Sequence, residues 1–398
     1  GTLSLGESGA IDADARGFHT SKRGPGRATS TYGSASYGGR GSNGDVYGDI
    51  EEPTNLGSSG HDGDGGGAIY LLAGVLSVDS NAVISARGEM GSDYGGGSGG
   101  SIYVRAGTLS GNGTIRADGG DDNSNCGGGG RVAVILTNGN FSAYTGDILA
   151  VSAGSKSRSA GTVYLQNQTQ YEAGTLGRLV VDNQGYGQGS RGTPLPGGTV
   201  LSDFTEVVVS NAAYVIIDSG VTCDWASMNL TAGGSGETRI RITDDTGITF
   251  PATLTISEYT LEGDGISQTL ANVVVDTDGV LTHHGPSTSQ SAGLDLTLSG
   301  DLTLQNGGVV HGDEKGFTSG SSPNGSSDSR DNGTAHGGLG HANETGHECY
   351  GSILAPDRSG GGAREGHGGG VVKLAVAGQT TIGSSSRITA NASADYKY

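Results

Sequence analysis

A long-range internal repeat constrains this chain more than any single motif, because a segment that returns with its spacing intact must build equivalent local structure twice. Ala10-Ile11-Asp12-Ala13-Asp14-Ala15-Arg16-Gly17-Phe18 matches Val309-Val310-His311-Gly312-Asp313-Glu314-Lys315-Gly316-Phe317, about 300 residues further on. Tyr37-Gly38-Gly39 falls on His336-Gly337-Gly338 at the same offset. After a short insertion in the second copy, Tyr47-Gly48-Asp49-Ile50 with Pro53 matches Tyr350-Gly351-Ser352-Ile353 with Pro356, and Gly65-Gly66-Gly67 falls on Gly368-Gly369-Gly370. The expected organisation is one complete unit over 1–298, with glycine-rich coils and loops in 1–150 and β-branched coils in 151–298. The start of a second unit occupies 299–398 and is equivalent to about 1–94.

Each glycine triplet runs into a strand-like segment, Ala68-Ile69-Tyr70-Leu71-Leu72 or Val371-Val372-Lys373-Leu374-Ala375, and a second strand follows at Val83-Ile84-Ser85 or Arg387-Ile388-Thr389. A shorter rhythm runs inside the unit, since Gly99 to Val104 recurs as Gly129 to Val134. Beyond residue 160 come β-branched runs such as Glu206-Val207-Val208-Val209 and Asn272-Val273-Val274-Val275, bounded by Gly, Asn and Asp. With 79 glycines, 5 phenylalanines and a single tryptophan, the core must be thin and built of stacked small aliphatics. No stretch has a capped helical period. The fold expected is therefore all-β, a parallel β-helix (β-solenoid) with long Gly/Ser-rich loops folded beside it and negligible helix. Ile11, Ile69, Ile84, Ile102, Val134, Val215, Val310 and Ile388 are expected to point inward. The tracts 20–66 and 312–370 have the composition of linkers, but a disordered linker has no reason to keep its motifs in register, so compact loops are expected.

The net charge is −19 and no basic patch follows a phosphate backbone, which disfavours nucleic acid as a partner. Cys126, Cys223 and Cys349 are widely spaced and form neither a zinc ribbon nor a disulfide framework. No apolar stretch approaches a membrane span. The chain begins at Gly1 without methionine or signal peptide and stops in mid-motif at Tyr398, so a processed or excised fragment is expected. Asn-x-Ser/Thr sequons begin at Asn112, Asn140, Asn167, Asn229, Asn324, Asn332, Asn343 and Asn391, which predicts a secreted, surface-exposed glycoprotein.

Gly9-Ala10-Ile11-Asp12-Ala13-Asp14, Ala35-Ser36-Tyr37-Gly38-Gly39, Tyr47-Gly48 with Pro53, Gly65-Gly66-Gly67-Ala68-Ile69 and Gly99-Gly100-Ser101-Ile102-Tyr103 occur in succession. In this the chain resembles large glycine-rich extracellular tandem-repeat proteins of bacteria and microbial eukaryotes, and the likeness covers most of its length. The resemblance implies a parallel β-helix of the pectin-lyase-like type and a place at the cell surface, in a family mostly of unassigned function.

Asp12 and Asp14, with His311 and Asp313 in the second copy, alternate as strand residues on one face do, a geometry suited to a structural calcium ion. Asp62, Asp64, Asp121, Asp122 and Asn123 offer further oxygen ligands, yet no known calcium repeat is reproduced. His336, His341, His347, His367 and Cys349 crowd one loop without a recognised ligand spacing, and His283-His284 is a weaker signal. No catalytic residue or cofactor site is assigned, although Asp12, Asp14 and Arg16 are the carboxylate and basic residues a polysaccharide lyase or hydrolase would require. Their return as His311, Asp313 and Lys315 is the mark of an architectural element. The expected function is an extracellular structural or adhesive scaffold whose partners are copies of itself, in a tandem array or a filament. End-to-end contact is expected near Gly1–Asp14 and Ile388–Tyr398. The alternatives are a carbohydrate-active β-helix enzyme and a glycan-binding module.

Overall fold

The computed structural model describes the chain except residues 20, 43, 93, 122–124, 153–158, 187–190, 291–292, 324–335, 338–348, 364–365 and 394–398. It is nearly all β, with 36% strand, 3% helix and mostly parallel sheets, and the sheets are several rather than one continuous wall. The chain forms two compact units, Gly1–Arg239 and Ile240–Tyr398. This partition follows packing, whereas the 298/299 boundary follows sequence likeness.

In the first unit, sequential strands separate into different sheets. Thr2–Leu5, Ala68–Val78, Ser101–Gly111, Arg131–Leu136 and Thr162–Gln166 neighbour one another in an eight-stranded sheet. Ala10–Asp12, Val83–Ser85, Thr114–Arg116 and Asp147–Leu149 form a four-stranded one. Parallel register then stacks like on like. Ile69, Ile102, Val132 and Val163 make one column, Leu71, Val104, Val134 and Leu165 a second, and Ile11, Ile84, Ile115 and Ile148 a third. Ile84, Ile102, Val104, Ile115, Val132 and Val134 are wholly buried, each contributing about 1.5–3 kcal/mol of hydrophobic stabilisation. No bulky aromatic is needed where each layer is only one side chain deep.

Of the residues expected to face inward, Ile69, Ile84, Ile102, Val134, Val215 and Val310 are buried. Ile11 is half-buried and Ile388 is 37% exposed. Ile388 pairs with Val310 in the same column, but Arg387–Thr389 is the last strand of its sheet, so no described layer covers it.

Besides two 3-10 turns, Phe141–Ala143 and Leu201–Asp203, one α-helix departs from the expectation of strand and loop alone. Gln168–Ala173 is a short helix, opened by a capping box between Asn167 and Gln170 and closed by Gly174 in the left-handed region at φ 65°. It reverses the chain, so Leu176–Asp182 lies antiparallel to Thr162–Gln166, with Leu179 opposite Tyr164. Parallel pairing resumes with Phe204–Ser210 and Leu230–Gly233.

The Gly/Ser tract after Ala15 is folded against the sheets. Residues 33–39 are buried, Gly39 N donates to Gly129 O at 2.8 Å, and Gly57 N donates to Gly66 O at 2.8 Å. A Cβ on Gly38 would lie 2.1 Å from Gly130 O, and one on Gly39 2.1 Å from Ser159 O. Both contacts exclude any other residue. Arg131, wholly buried, anchors the tract by donating to Tyr47 O (3.0 Å) and Thr162 Oγ1 (2.9 Å) beneath the Tyr37 ring.

In the second unit, Thr253–Ile256, Asn272–Val275, Leu302–Leu304 and Thr380–Ile382 form one parallel sheet, and Leu294–Leu298 pairs with Val372–Val376. Thr260–Glu262, Val280–Thr282, Val309–His311 and Arg387–Thr389 follow one another in another sheet. The register of the chain's start returns here. Leu3 pairs with Leu76 and Leu302 with Thr380; Ile11 pairs with Ile84 and Val310 with Ile388. Loop bonds return as well. Gly17 N to Gly65 O (2.7 Å) is matched by Gly316 N to Gly368 O (2.8 Å), and Phe18 N to Gly57 O by Phe317 N to Gly360 O, both at 3.0 Å.

Placing a charge in a column should be far costlier than a change at the surface. Ile102→Asp should destabilise by on the order of 3 kcal/mol or more, whereas Met90→Gln, at a 65% exposed position, should leave chemical denaturation within about 0.5 kcal/mol of the parent. Equal midpoints for the two variants would contradict the column assignment.

Candidate functional site

The aspartates singled out as cation ligands are tied to the neighbouring strands. Asp12 ends its strand and accepts from Asp14 N at 2.7 Å, so Asp14 already lies in the turn and the same-face alternation stops before it. Asp14 Oδ1 accepts from Ser85 Oγ and from Arg87 N (2.6 Å), and its Oδ2 accepts from Arg87 Nε (2.9 Å). Arg87 rather than Arg16 is its cationic partner. Asp313 repeats the arrangement, accepting from Thr389 Oγ1 (2.7 Å) and Asn391 N (2.5 Å). Elsewhere in the first unit Asp118 accepts from Val151 N (2.9 Å) beside Arg116. These carboxylates brace one layer to the next. Among the described residues, no three His, Cys, Asp or Glu side chains converge on a point that could hold a metal.

The histidine loop is only partly described, because His341 and His347 lie outside the described residues. His336 packs edge-on to Tyr350 at 4.9 Å, as Tyr37 packs on Tyr47 at 4.6 Å in the first copy, and His367 Nδ1 accepts from Ser319 N at 3.1 Å. No disulfide joins the cysteines. Cys126 and Cys223 are buried and Cys349 is exposed. Burial pushes the Cys223 thiol up to about 12, too high for a nucleophile at neutral pH. Of the sequons, Asn112, Asn140, Asn229 and Asn391 are exposed and Asn167 is half-buried as a helix cap. Asn324, Asn332 and Asn343, like Asp122 and Asn123, lie outside the described residues.

A further group of charged side chains is one of which the sequence singles out only His284. It lies where strands Arg239–Ile242 and Thr260–Glu262 and the segment after Val280–Thr282 come together in the second unit. Arg241 Nη2 donates to Asp264 Oδ2 at 2.8 Å. Glu262, with a wholly buried side chain, meets His284 Nδ1 at 3.1 Å and Arg241 Nε at 3.9 Å, and His284 N donates to Asp264 Oδ1 at 3.2 Å. Two carboxylates thus face one guanidinium and one imidazole, and His284 is the most exposed of the four side chains, at 33%. The imidazole is oriented by a buried carboxylate, an arrangement able to relay a proton or to hold a polar ligand. Its sequence signal was the alternation Arg239-Ile240-Arg241-Ile242 followed by Glu262, Asp264 and His284 at strand ends, about 20 residues apart.

No family model, curated protein or solved structure matches the chain. Function has to be argued from these residues themselves.

His283, beside this cluster, is wholly buried with Nδ1 2.9 Å from His284 O, and burial lowers its pKa. Above the unfolded histidine value of about 6.5 neither state binds the proton, and below it the unfolded chain takes up a proton that the folded chain refuses. Stability is therefore full above about pH 6.5 and falls as pH drops from there toward the lower folded value. Asp276 adds a second loss. Gln305 first, then Thr277 N and Asn306, hold its carboxyl down to about 2, so its contribution is present above the ordinary value of about 3.9 and disappears toward pH 2. Urea midpoints should fall between pH 7 and 5 and again below pH 4. A flat profile from pH 7 to 5, with His283 titrating normally by NMR, would contradict the first step.

Proposed function

We propose that the chain is a segment of an extracellular β-solenoid, a structural or adhesive scaffold of tandem units whose partners are further copies of itself. In this reading the strands of the separate sheets are the faces of successive coils, and the helix Gln168–Ala173 is a local reversal in the winding. The observation that carries it is the return of the same registers and loop bonds about 300 residues on, Leu3 with Leu76 and then Leu302 with Thr380. A catalyst has no need of its supporting bonds twice, whereas a lengthening array does. The exposed sequons Asn112, Asn140, Asn229 and Asn391 support a secretory route, and among the described residues no helix is long and apolar enough to cross a membrane.

A second reading, binding or cleavage of a carbohydrate, is favoured by the grouping of Arg241, Glu262, Asp264 and His284. Its discriminating measurement is binding and turnover on a polysaccharide panel with Glu262→Gln as control. The scaffold reading expects no effect of that substitution on any glycan signal.

For the scaffold itself, electron microscopy of the full chain at rising concentration should show end-to-end oligomers one solenoid wide, and mass spectrometry of secreted protein should find glycan on Asn112, Asn140 or Asn229. Dispersed monomers at all concentrations together with bare sequons would overturn it.

A further inference from the structure

The second copy displays a contact for which the first copy has only one half. Leu294–Leu298 lies parallel to Val372–Val376, with Leu294 opposite Val372, Leu296 opposite Leu374 and Leu298 opposite Val376. The three leucines are 0–1% exposed, so this strand closes a core layer. The chain then continues through Gly300, whose carbonyl accepts from Gly378 N at 3.0 Å, into Leu302–Leu304 on Thr380–Ile382. At the chain's start Gly1 O accepts from Gly74 N at 2.7 Å, and Thr2–Leu5 lies on Val75–Val78. The two arrangements coincide from the glycine onward.

They differ before it. Ala68–Ala73, the counterpart of Val371–Val376, pairs with Ser101–Ala106 on one side. On the other side, the described pairing covers only Val75–Val78 of the same long strand. Ser101 N donates to Gly67 O (3.0 Å), so by the alternation of a parallel ladder the N–H groups of Tyr70 and Leu72 point to the open side. Tyr70 is 55% and Leu72 65% exposed, and the inward Leu71 and Ala73 are only half-buried, as the last layer of an uncovered core would be.

We propose that this edge is a docking site for an extended Leu-x-Leu-x-Leu strand with the chemistry of Leu294–Leu298, contributed by another copy of the repeat. The proposal rests on the tandem-scaffold reading for the source of the strand. The incoming strand runs parallel, sets its three leucines over Ile69, Leu71 and Ala73, and accepts from the N–H groups of Tyr70 and Leu72. Specificity comes from the alternation, because a slip of one residue would turn the leucines to solvent.

The test adds the seven residues Gly293–Ser299, by sequence, directly before Gly1 of the full chain. A control extension carries Leu→Asp at its three leucines. Amide exchange at Tyr70 and Leu72 should slow by about tenfold or more with the leucine extension, and the melting temperature should rise by about 2–4 °C. The control extension should change neither. No added protection, or equal protection from both extensions, would overturn the docking site. Fibre formation is scored separately by microscopy on the unextended chain. Fibres without protection would sink the docking site and spare the scaffold, and protection with dispersed monomers and bare sequons would do the reverse.

Discussion

Backbone lying directly on backbone, with no side chain between, is the contact on which the first unit depends. Gly39 bonds to Gly129, Gly129 N reaches Ser159 O, Gly99 N reaches Gly128 O and Gly66 N reaches Ser98 O, so five stretches of chain share one hydrogen-bonded layer. Each such bond contributes about 1 kcal/mol net, while fixing each glycine costs roughly 0.5–1 kcal/mol more than fixing alanine. The two nearly cancel. What holds the tract down is the wholly buried Arg131 on the sheet, whose guanidinium reaches Tyr47 O and lies against the Tyr37 ring of the tract. Leaving a guanidinium such as Arg131 buried without its Tyr47 and Thr162 partners would cost far more than any one glycine bond supplies.

That balance lets the first unit form with few large apolar residues. The columns Ile69 to Val163 and Ile11 to Ile148 need only one aliphatic per layer, and the glycine layer closes the flank without requiring a second core. Each layer is incomplete until its neighbour is in place. Arg387–Thr389 is the last strand of its sheet, and there Ile388 is 37% exposed while Val310, its neighbour in the same column, is buried.

Much of this was legible from residue types. The repeated motifs, the aliphatic alternation at Ile84 and Ile102 and the shared spacing of the Gly/Ser tract each carry their own local signal, and the structure gives strands and a docked loop there. The helix at Gln168–Ala173 escaped notice because six residues show no helical period, although Asn167 and Gln170 spell out a capping box. The brace on Asp14 is not legible in the sequence because its partners, Ser85 and Arg87, lie more than 70 residues away and become neighbours only once the strands pair. The cluster of Arg241, Glu262, Asp264 and His284 was hidden for the same reason, since each charge alone looks like an ordinary strand-end residue.

The two copies of the aspartate brace separate what is essential in it from what is incidental. Asp14 meets a hydroxyl, a backbone N–H and the Arg87 guanidinium, whereas Asp313 meets a hydroxyl and a backbone N–H, with Asn391 where the arginine stood. The ion pair is the part that is lost, and it is the weaker part. Arg87 and Asp14 are 48% and 26% exposed, and an ion pair that open to solvent contributes about 0–1 kcal/mol. A carboxylate accepting from a backbone N–H is stronger, and it also fixes the height of one turn against the next. Serine replaced by threonine keeps the hydroxyl, and alanine at position 15 replaced by glutamate keeps the positive φ, 53° and 60°, that aims the turn. What both copies keep is therefore a brace that fixes the spacing of one strand layer against the next rather than a charge, and a hydroxyl and a backbone N–H are enough to hold it.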